Sequence, residues 1–216
     1  MSKDPWTAPL GLWVRGGGRL DQLTRRAVAI AGRVGPTPYG AEVALDLGRQ
    51  LANGGWTVAT LGRPGIDSSA LRGALQEQSP ATAAPVALPL GRLIDPRPAA
   101  HRKLFGRVCR DGALVSEHGA NEPERLQRRD IRAQLRLLSR LTTALVLVEP
   151  DGRSWDSRTV RMAEDAGLPV MTIPGSVNSP ASDFAHELFR TARARLVTRP
   201  GQVIAELERH CRGATR

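Results

Sequence analysis

The stretch AVAIAGRVGPTPYG, residues 27–40, contains the pattern that decides the fold. Its first five residues are apolar without polar alternation, which is typical of a strand buried on both faces of a sheet. A glycine-bearing turn follows, and from Gly40 to Asn53 the apolar residues recur with helical spacing. A buried strand that leads through a short turn into a helix is the first half of a β-α-β unit.

The same alternation of strand and helix patterns continues along the chain. Further strands are predicted at residues 56–61, 85–90, 113–116, 144–149, 169–173 and 195–198. Helices are predicted between and after them, at residues 68–78, 99–110, 122–141, 158–166, 182–192 and 201–211. This order predicts an α/β fold with a Rossmann-like open parallel sheet and helices on both faces, in a single domain. Residues 1–20 are predicted to form an N-terminal arm ahead of a domain over residues 21–216.

The charge of the chain indicates a polyanionic partner. Its 216 residues carry a net charge of +10, and Lys3 and Lys103 are its only lysines. An excess of arginine fits phosphate contacts, although a GC-rich genome produces the same bias. Cys109 and Cys211 stand far apart without a partner spacing, which predicts neither a zinc site nor a disulfide framework. The polar N-terminus and the lack of long apolar runs predict a cytoplasmic protein.

Ligands of open parallel sheets bind outside the carboxyl ends of the strands, so the loops that follow the strands are the candidate sites. The first loop begins with Gly32 and Arg33, ahead of a helix whose first N–H groups could hold a phosphate. The second loop contains Gly62, Arg63 and Gly65, and the Asp67 and Ser68 that follow are equally compatible with a helix cap. Each loop alone is also compatible with an ordinary strand-to-helix turn.

Two later segments add basic residues. The helix predicted over residues 122–141 places six arginines within about 120° of arc, opposite a leucine-rich side. These are Arg125, Arg128, Arg129, Arg132, Arg136 and Arg140. A solvated face usually mixes signs, so this stripe favours phosphate contact. After the strand predicted at 144–149, Ser154, Arg158 and Thr159 lie at a helix start, and Trp155 could stack on a base or simply pack.

Catalytic patterns are poor by comparison. Ser116-Glu117-His118 is the most compact set of a nucleophile, an acid and a base, but three neighbours in a row rarely converge on one site. The chain has no Walker A motif, no His-Glu-x-x-His and no G-x-S-x-G elbow. The sequence therefore predicts a binding protein and no enzyme.

Taken in chain order, residues 11–207 resemble the core of the DNA-processing protein A (DprA/Smf) family. Residues 29–32 with Tyr39-Gly40 are similar to the family's A-I-V-G-S-R-x-x-T-x-Y-G, including the intervening length. Residues 60–75 resemble S-G-x-A-x-G-I-D-x-x-A-H-x-G-A-L, with an outright match at Gly65-Ile66-Asp67. Later segments resemble G-A-L-x-S-E at 112–117, R-N-R-I-I-A-G-L-S at 136–142, S-G-S-L-I-T at 154–159 and V-P-G at 173–175.

The departures from the family pattern fall in the loops. Arg33 stands at the Ser of the first motif and Val34 at its Arg, while Arg63 replaces a small residue of the second motif. Gln134 and Leu135 replace the first Arg and the Asn of R-N-R. Arg158 lies among the residues that replace G-S-L-I, and Arg97 stands at a usual Tyr. Gained arginines outnumber lost ones, which favours a remodelled anion-binding surface over a decayed pocket.

The resemblance implies a cytoplasmic protein that binds single-stranded DNA, commonly as a homodimer. It further implies a role in loading RecA-type recombinase during DNA uptake or recombination, with no cofactor and no metal. The residues predicted to bind nucleic acid are Gly32, Arg33, Gly62, Arg63, Gly65, Arg97, Arg132, Arg136, Ser154, Arg158 and Thr159.

Two alternatives use the same strand ends. One is a sensor that binds a nucleotide ligand. The other is a nucleoside-monophosphate phosphoribohydrolase of the lysine-decarboxylase-like (LOG) type. Residues 174–178 lack the second and third glycines of the LOG motif P-G-G-x-G-T-x-x-E, and its glutamate has no counterpart here.

Overall fold

The computed structural model describes residues 11–77, 79, 81–89, 93, 99–117, 128–152 and 155–214. The strands are β1 (Trp13–Gly16), β2 (Ala27–Gly32), β3 (Thr57–Thr60), β4 (Val86–Ala87), β5 (Ala113–Ser116), β6 (Leu145–Val148), β7 (Val170–Thr172) and β8 (Arg195–Leu196). The helices are α1 (Leu20–Leu23), α2 (Pro38–Asn53), α3 (Ile66–Ala74), α4 (Arg102–Asp111), α5 (Arg128–Leu141), α6 (Trp155–Asp165), α7 (Asp183–Arg190) and α8 (Pro200–Ala214). A short 3₁₀ turn precedes α4 (Ala99–His101) and another precedes α7 (Pro180–Ser182).

The strands form one sheet in the order β1-β5-β4-β3-β2-β6-β7-β8. Each neighbouring pair is parallel except β1 and β5. From β2 the chain adds strands outward to β5, and it then crosses back to place β6 on the other side of β2. The strand order therefore reverses between β2 and β6, where open sheets of this kind bind ligands.

Helices cover both faces of the sheet, as the sequence predicts. Ile30 of β2 belongs to a cluster that contains Leu47 of α2 and residues of α3 and α8. Ala29 and Ala31 point to the other face and join a cluster that includes Leu138 of α5. A third cluster packs α4 against α3, β4 and β5. The central strands are thus buried on both sides, which explains their uninterrupted apolar sequences.

Several elements differ from the sequence prediction. Trp13–Gly16, in the segment predicted as an arm, forms the antiparallel edge strand β1 with β5. The strand predicted at residues 85–90 shortens to Val86–Ala87 between Pro85 and Pro89, because proline has no N–H to donate to a sheet. Residues 122–127 of the long predicted helix lie outside the described residues. Across the described ranges, no helix is long and apolar enough to cross a membrane.

Candidate functional site

Four loops follow the carboxyl ends of the central strands and meet at one edge of the sheet. They are residues 33–37 after β2, 61–65 after β3, 149–152 after β6 and 173–179 after β7. We call this edge the switch-point crevice, because the strand order reverses between β2 and β6. The residues that line it determine which ligand could bind there.

A carboxylate side chain of the protein itself occupies the N-terminal end of α2. Thr37 caps α2, and its hydroxyl accepts a hydrogen bond from the Gly40 N–H at 3.2 Å. Glu149, directly after β6, accepts from the Thr37 backbone N–H at 2.8 Å and also from the Thr37 hydroxyl. Glu149 is only 6% exposed and has a φ of +44°, a backbone conformation that is unfavourable outside glycine. The helix terminus that could hold a phosphate is therefore occupied.

Tyr39 connects the start of α2 to the turn after β7. Its hydroxyl donates to the carbonyl oxygen of Pro174 at 3.1 Å, while its ring is half exposed. Tyr39, Glu149 and Pro174 line the same small depression. This contact narrows the crevice between the β2 and β7 loops.

Arg63 is buried in an ionic cluster. Its Nη2 lies 3.0 Å from Asp67 Oδ1, 3.1 Å from Asp156 Oδ1 and 3.1 Å from the Gly32 carbonyl oxygen. The exposed fractions of the three side chains are 7% for Arg63, 0% for Asp67 and 1% for Asp156. The Arg63 guanidinium also lies over the ring of Trp155, at 5.7 Å from its centroid. The Arg63 side chain predicted to bind phosphate thus makes internal ion pairs.

The protonation of this cluster follows from burial and from its unequal charges. Burial alone would lower the pKa of Arg63, but the carboxylates of Asp67 and Asp156 outweigh it and raise that pKa above its usual value. Burial raises the pKa of Asp67, and the negative charge of Asp156 adds to this, while Arg63 opposes it. Two carboxylates thus share one guanidinium in a poorly solvated place.

The backbone around the three predicted glycines is already engaged in contacts within the protein. A Cβ at Gly32 would lie 1.9 Å from the Val148 carbonyl oxygen of β6. Gly65 has a φ of +83°, and a Cβ there would lie 2.3 Å from the Arg33 carbonyl oxygen. The N–H of Gly62 donates to the Thr60 hydroxyl at 2.9 Å. Close packing accounts for Gly32 and Gly65, and the Gly62 N–H already has an acceptor.

The arginines at the crevice differ in their surroundings. Arg33 is half-buried, and its Nε is enclosed without a hydrogen-bond acceptor among the described residues. Arg158, in the first two turns of α6, is exposed, and so is Arg132 on the neighbouring helix α5. Arg136 differs from both, because it is 16% exposed and forms an ion pair with Glu117, which is 12% exposed. Arg33, Arg132 and Arg158 are therefore the described candidates for an external anion.

The remaining predicted residues are placed as follows. Thr159 is buried, and its hydroxyl donates to the Trp155 carbonyl oxygen at 2.9 Å. Trp155 itself packs against the core under α5 and α6. Arg97, Ser154 and Arg125 lie outside the described residues, as do the side chains of Arg128 and Arg129.

Sequence reasoning missed two features of the site. It did not predict the contact between Thr37 and Glu149, although a Thr before a proline at a helix start is a typical cap. It also did not predict the pairing of Arg63 with Asp156, because the two residues are 93 positions apart. Both contacts depend on the parallel order of β2, β3 and β6.

The fold and the site together define a Rossmann-like α/β protein whose crevice contains arginines and a helix capped by an internal carboxylate. Residues 2–208 match the family model of DNA recombination-mediator protein A. The chain belongs to this family, as its motifs indicate.

Relatives and solved structures agree with this assignment. The chain is 36% identical over 197 residues to a putative DNA processing protein DprA of Mycobacterium tuberculosis, covering 91% of this chain and 49% of that protein. It therefore spans about half the length of that relative. It superposes on the DprA of Streptococcus pneumoniae with a TM-score of 0.81 and 28% identity, covering 92% of this chain and 67% of that one. DNA processing protein A of Helicobacter pylori has the same fold, with a TM-score of 0.81 and 24% identity. The superposition covers 94% of this chain and 89% of that one.

Proposed function

We propose that this protein binds single-stranded DNA at the switch-point crevice and catalyses no reaction. The observation that carries the proposal is Arg33, whose Nε is enclosed at the end of the central strand β2 without a described acceptor. Buried N–H groups in folded proteins are nearly always hydrogen-bonded. Arg33 as a whole is only half-buried, so a phosphate oxygen in the crevice would supply an acceptor for its guanidinium.

The electrostatics of the site fit a nucleic-acid backbone. The start of α2 is already occupied, since Glu149 binds at Thr37, and at the start of α3 the Ile66 N–H donates to the Arg33 carbonyl oxygen at 3.1 Å. Arginine side chains, rather than helix N–H groups, would therefore hold the phosphates. Arg158 and Arg132 are exposed on adjacent helices, in a chain with a net charge of +10. Such contacts gain affinity by counterion release and read no base sequence.

Family membership supports the same function. The structure with the same fold from Helicobacter pylori is that of a DNA processing protein A that binds single-stranded DNA. For this chain we propose a role in recombination in which the bound strand is passed to a RecA-type recombinase. We further propose that it acts as a homodimer, as the resemblance implies.

Fluorescence anisotropy of a labelled single-stranded oligonucleotide, titrated at several salt concentrations with duplex as a competitor, tests this proposal. We expect binding that weakens steeply with salt and that prefers the single strand. Absence of binding, or equal affinity for duplex, would refute it. Tight binding of a mononucleotide, or release of free base from AMP, would instead favour the nucleotide-ligand alternatives.

Single substitutions locate the binding site. Arg33→Gln and Arg158→Gln should each weaken binding by about ten-fold, which corresponds to about 1.4 kcal/mol. Arg209→Gln is the matched control, since it removes the same charge from an exposed arginine of α8 that pairs with Glu206. If all three variants weaken binding equally, only net charge matters and the crevice is not the site.

A further inference from the structure

The solvent-facing side of α4 is basic along its length. Its exposed positions are Arg102, Lys103, Gly106, Arg107 and Arg110. Lys103, Arg107 and Arg110 follow each other at i, i+4 and i+7, which places them within about 60° of arc and over about 10 Å of helix axis. We call these three residues the α4 stripe.

Packing fixes the direction in which the α4 stripe points. Leu104, Phe105 and Val108, on the inner side of α4, are buried in the cluster shared with α3, β4 and β5. The guanidinium of Arg107 also donates to the carbonyl oxygen of Leu75, after α3, at 2.5 Å. Packing of the inner face thus fixes the orientation of α4 and the side from which the stripe projects.

The signs of the charges on α4 are unusual for a solvated face. Exposed helix faces commonly carry acidic and basic residues four positions apart. In α4 the acidic residue is Asp111, at the last position and half-buried, and the four charged side chains at exposed positions are all basic. A surface of one sign favours a polyanion as its partner.

The α4 stripe begins beside the switch-point crevice. His101, directly before α4, has its Nδ1 3.2 Å from the carbonyl oxygen of Gly62, and the ring of Phe105 lies against Gly62. Gly62 belongs to the loop after β3, which also carries Arg63. At the other end of α4, the carbonyl oxygen of Cys109 accepts from the Gly17 N–H at 2.9 Å. The stripe therefore leads from the edge of the crevice along the α2–α3–α4 side of the sheet towards β1.

We propose that the α4 stripe is a second contact surface for the same DNA strand, which follows it after leaving the crevice. This inference rests on the proposed function. Its exposed residues include no aromatic side chain, so the contacts would be made to phosphates alone. A strand long enough to reach α4 would then bind more tightly, and with a steeper salt dependence, than one that fills only the crevice.

Gly106 allows a test that leaves the stripe side chains intact. It is exposed beside the stripe, and among the described residues no atom lies within 4 Å of a Cβ placed there. Gly106→Glu would add a negative charge, and Gly106→Gln is its uncharged match in size and helix propensity. Binding is measured with oligonucleotides of about 6 and about 20 nucleotides, at several salt concentrations.

The proposal predicts that Gly106→Glu binds the long oligonucleotide at least five-fold more weakly than Gly106→Gln does, with a lower salt slope. Both variants should bind the short one equally. Equal affinities of the two variants for the long strand, or equal losses for both lengths, would overturn the α4 assignment. If Arg158→Gln still weakens short-strand binding in that case, the proposed function survives. Wild-type protein that binds neither length would overturn both proposals.

Discussion

The carboxylate of Glu149 accepts hydrogen bonds from both the backbone N–H and the hydroxyl of Thr37, a residue 112 positions earlier in the chain. These bonds fix the end of β6 to the start of α2, at the point where the strand order reverses. They also help to hold Glu149 at its positive φ. The Glu149 carboxylate therefore occupies the start of α2, and arginine side chains are the groups left to bind an external anion.

Thr37→Ala should destabilise the fold. It removes both the helix cap to Gly40 and one bond to the buried carboxylate, which costs about 1–3 kcal/mol in the free energy of unfolding. Thr37→Ser keeps the hydroxyl and should lose less than about 1 kcal/mol. Urea unfolding of the two variants measures the difference, and equal losses would show that the hydroxyl contacts contribute nothing.

Gly40→Ala should destabilise the protein, although alanine normally favours helices. A Cβ at Gly40 would lie 2.4 Å from Glu149 Oε2, so the carboxylate would have to move away from Thr37. Gly106→Ala in α4 is the matched control, and it should stabilise the protein by about 0.5–1 kcal/mol, because that position has open space. Thermal unfolding should shift the two variants in opposite directions, and a rise for Gly40→Ala would contradict the close contact.

Arg63→Met should be among the most destabilising substitutions in this domain. It leaves Asp67 and Asp156 buried without a counter-charge, which typically costs about 3–5 kcal/mol. Arg193→Met is the control, because Arg193 pairs with Glu164 at the surface and its loss should cost less than about 1 kcal/mol. Chemical denaturation distinguishes the two, and similar small losses would mean that the Arg63 cluster is better solvated than its burial indicates.

The buried Asp67 predicts a pH dependence of stability. Burial raises the pKa of Asp67 in the folded state above the 3.8 expected for an exposed Asp, so the folded state binds this proton more tightly. The resulting stabilisation is fully present below the unfolded pKa and is lost as pH rises through the folded one. The Asp67→Asn substitution removes the carboxyl group that titrates at this position. The stability advantage of wild type over Asp67→Asn should therefore shrink as pH rises from about 4, and an advantage that grows would reverse the assigned shift.

Substitutions of Arg132 and Arg136 should affect DNA binding and fold stability differently. Arg132 is exposed, so Arg132→Gln should change the unfolding free energy by less than about 0.5 kcal/mol while lowering the salt slope of DNA binding by about one. Arg136→Gln should cost about 1–3 kcal/mol in stability, because it leaves Glu117 largely buried without its ion pair. Parallel denaturation and anisotropy measurements test this, and the opposite pattern would show that Arg136 is the phosphate contact.

The α/β class, the parallel strands and the helices on both faces could be predicted from the sequence alone. An uninterrupted apolar run such as residues 27–31 is typical of a strand buried on both faces, and the glycine-bearing turn that follows it is a local feature of the sequence. The family followed from short motifs that occur in the same order as in the family pattern, and the match over residues 2–208 confirms it. The edge strand β1 was not predicted because Trp13–Gly16 is exposed at all four positions and lacks the alternation of apolar and polar residues that marks a half-buried strand.

The role of each arginine was decided only by the tertiary structure. In the sequence, Arg33 and Arg63 follow predicted strands and Arg136 lies within a predicted helix, and nothing local distinguishes their positive charges. Long-range pairing places Arg63 between Asp67 and Asp156 and Arg136 against Glu117, while Arg33 is half-buried at the end of β2 without an ion pair among the described residues. Charge is a property of the residue, whereas the partner that satisfies it depends on which strands lie side by side. The sequence thus determined that the chain is basic and Rossmann-like, and the sheet order determined which of its charges face outward.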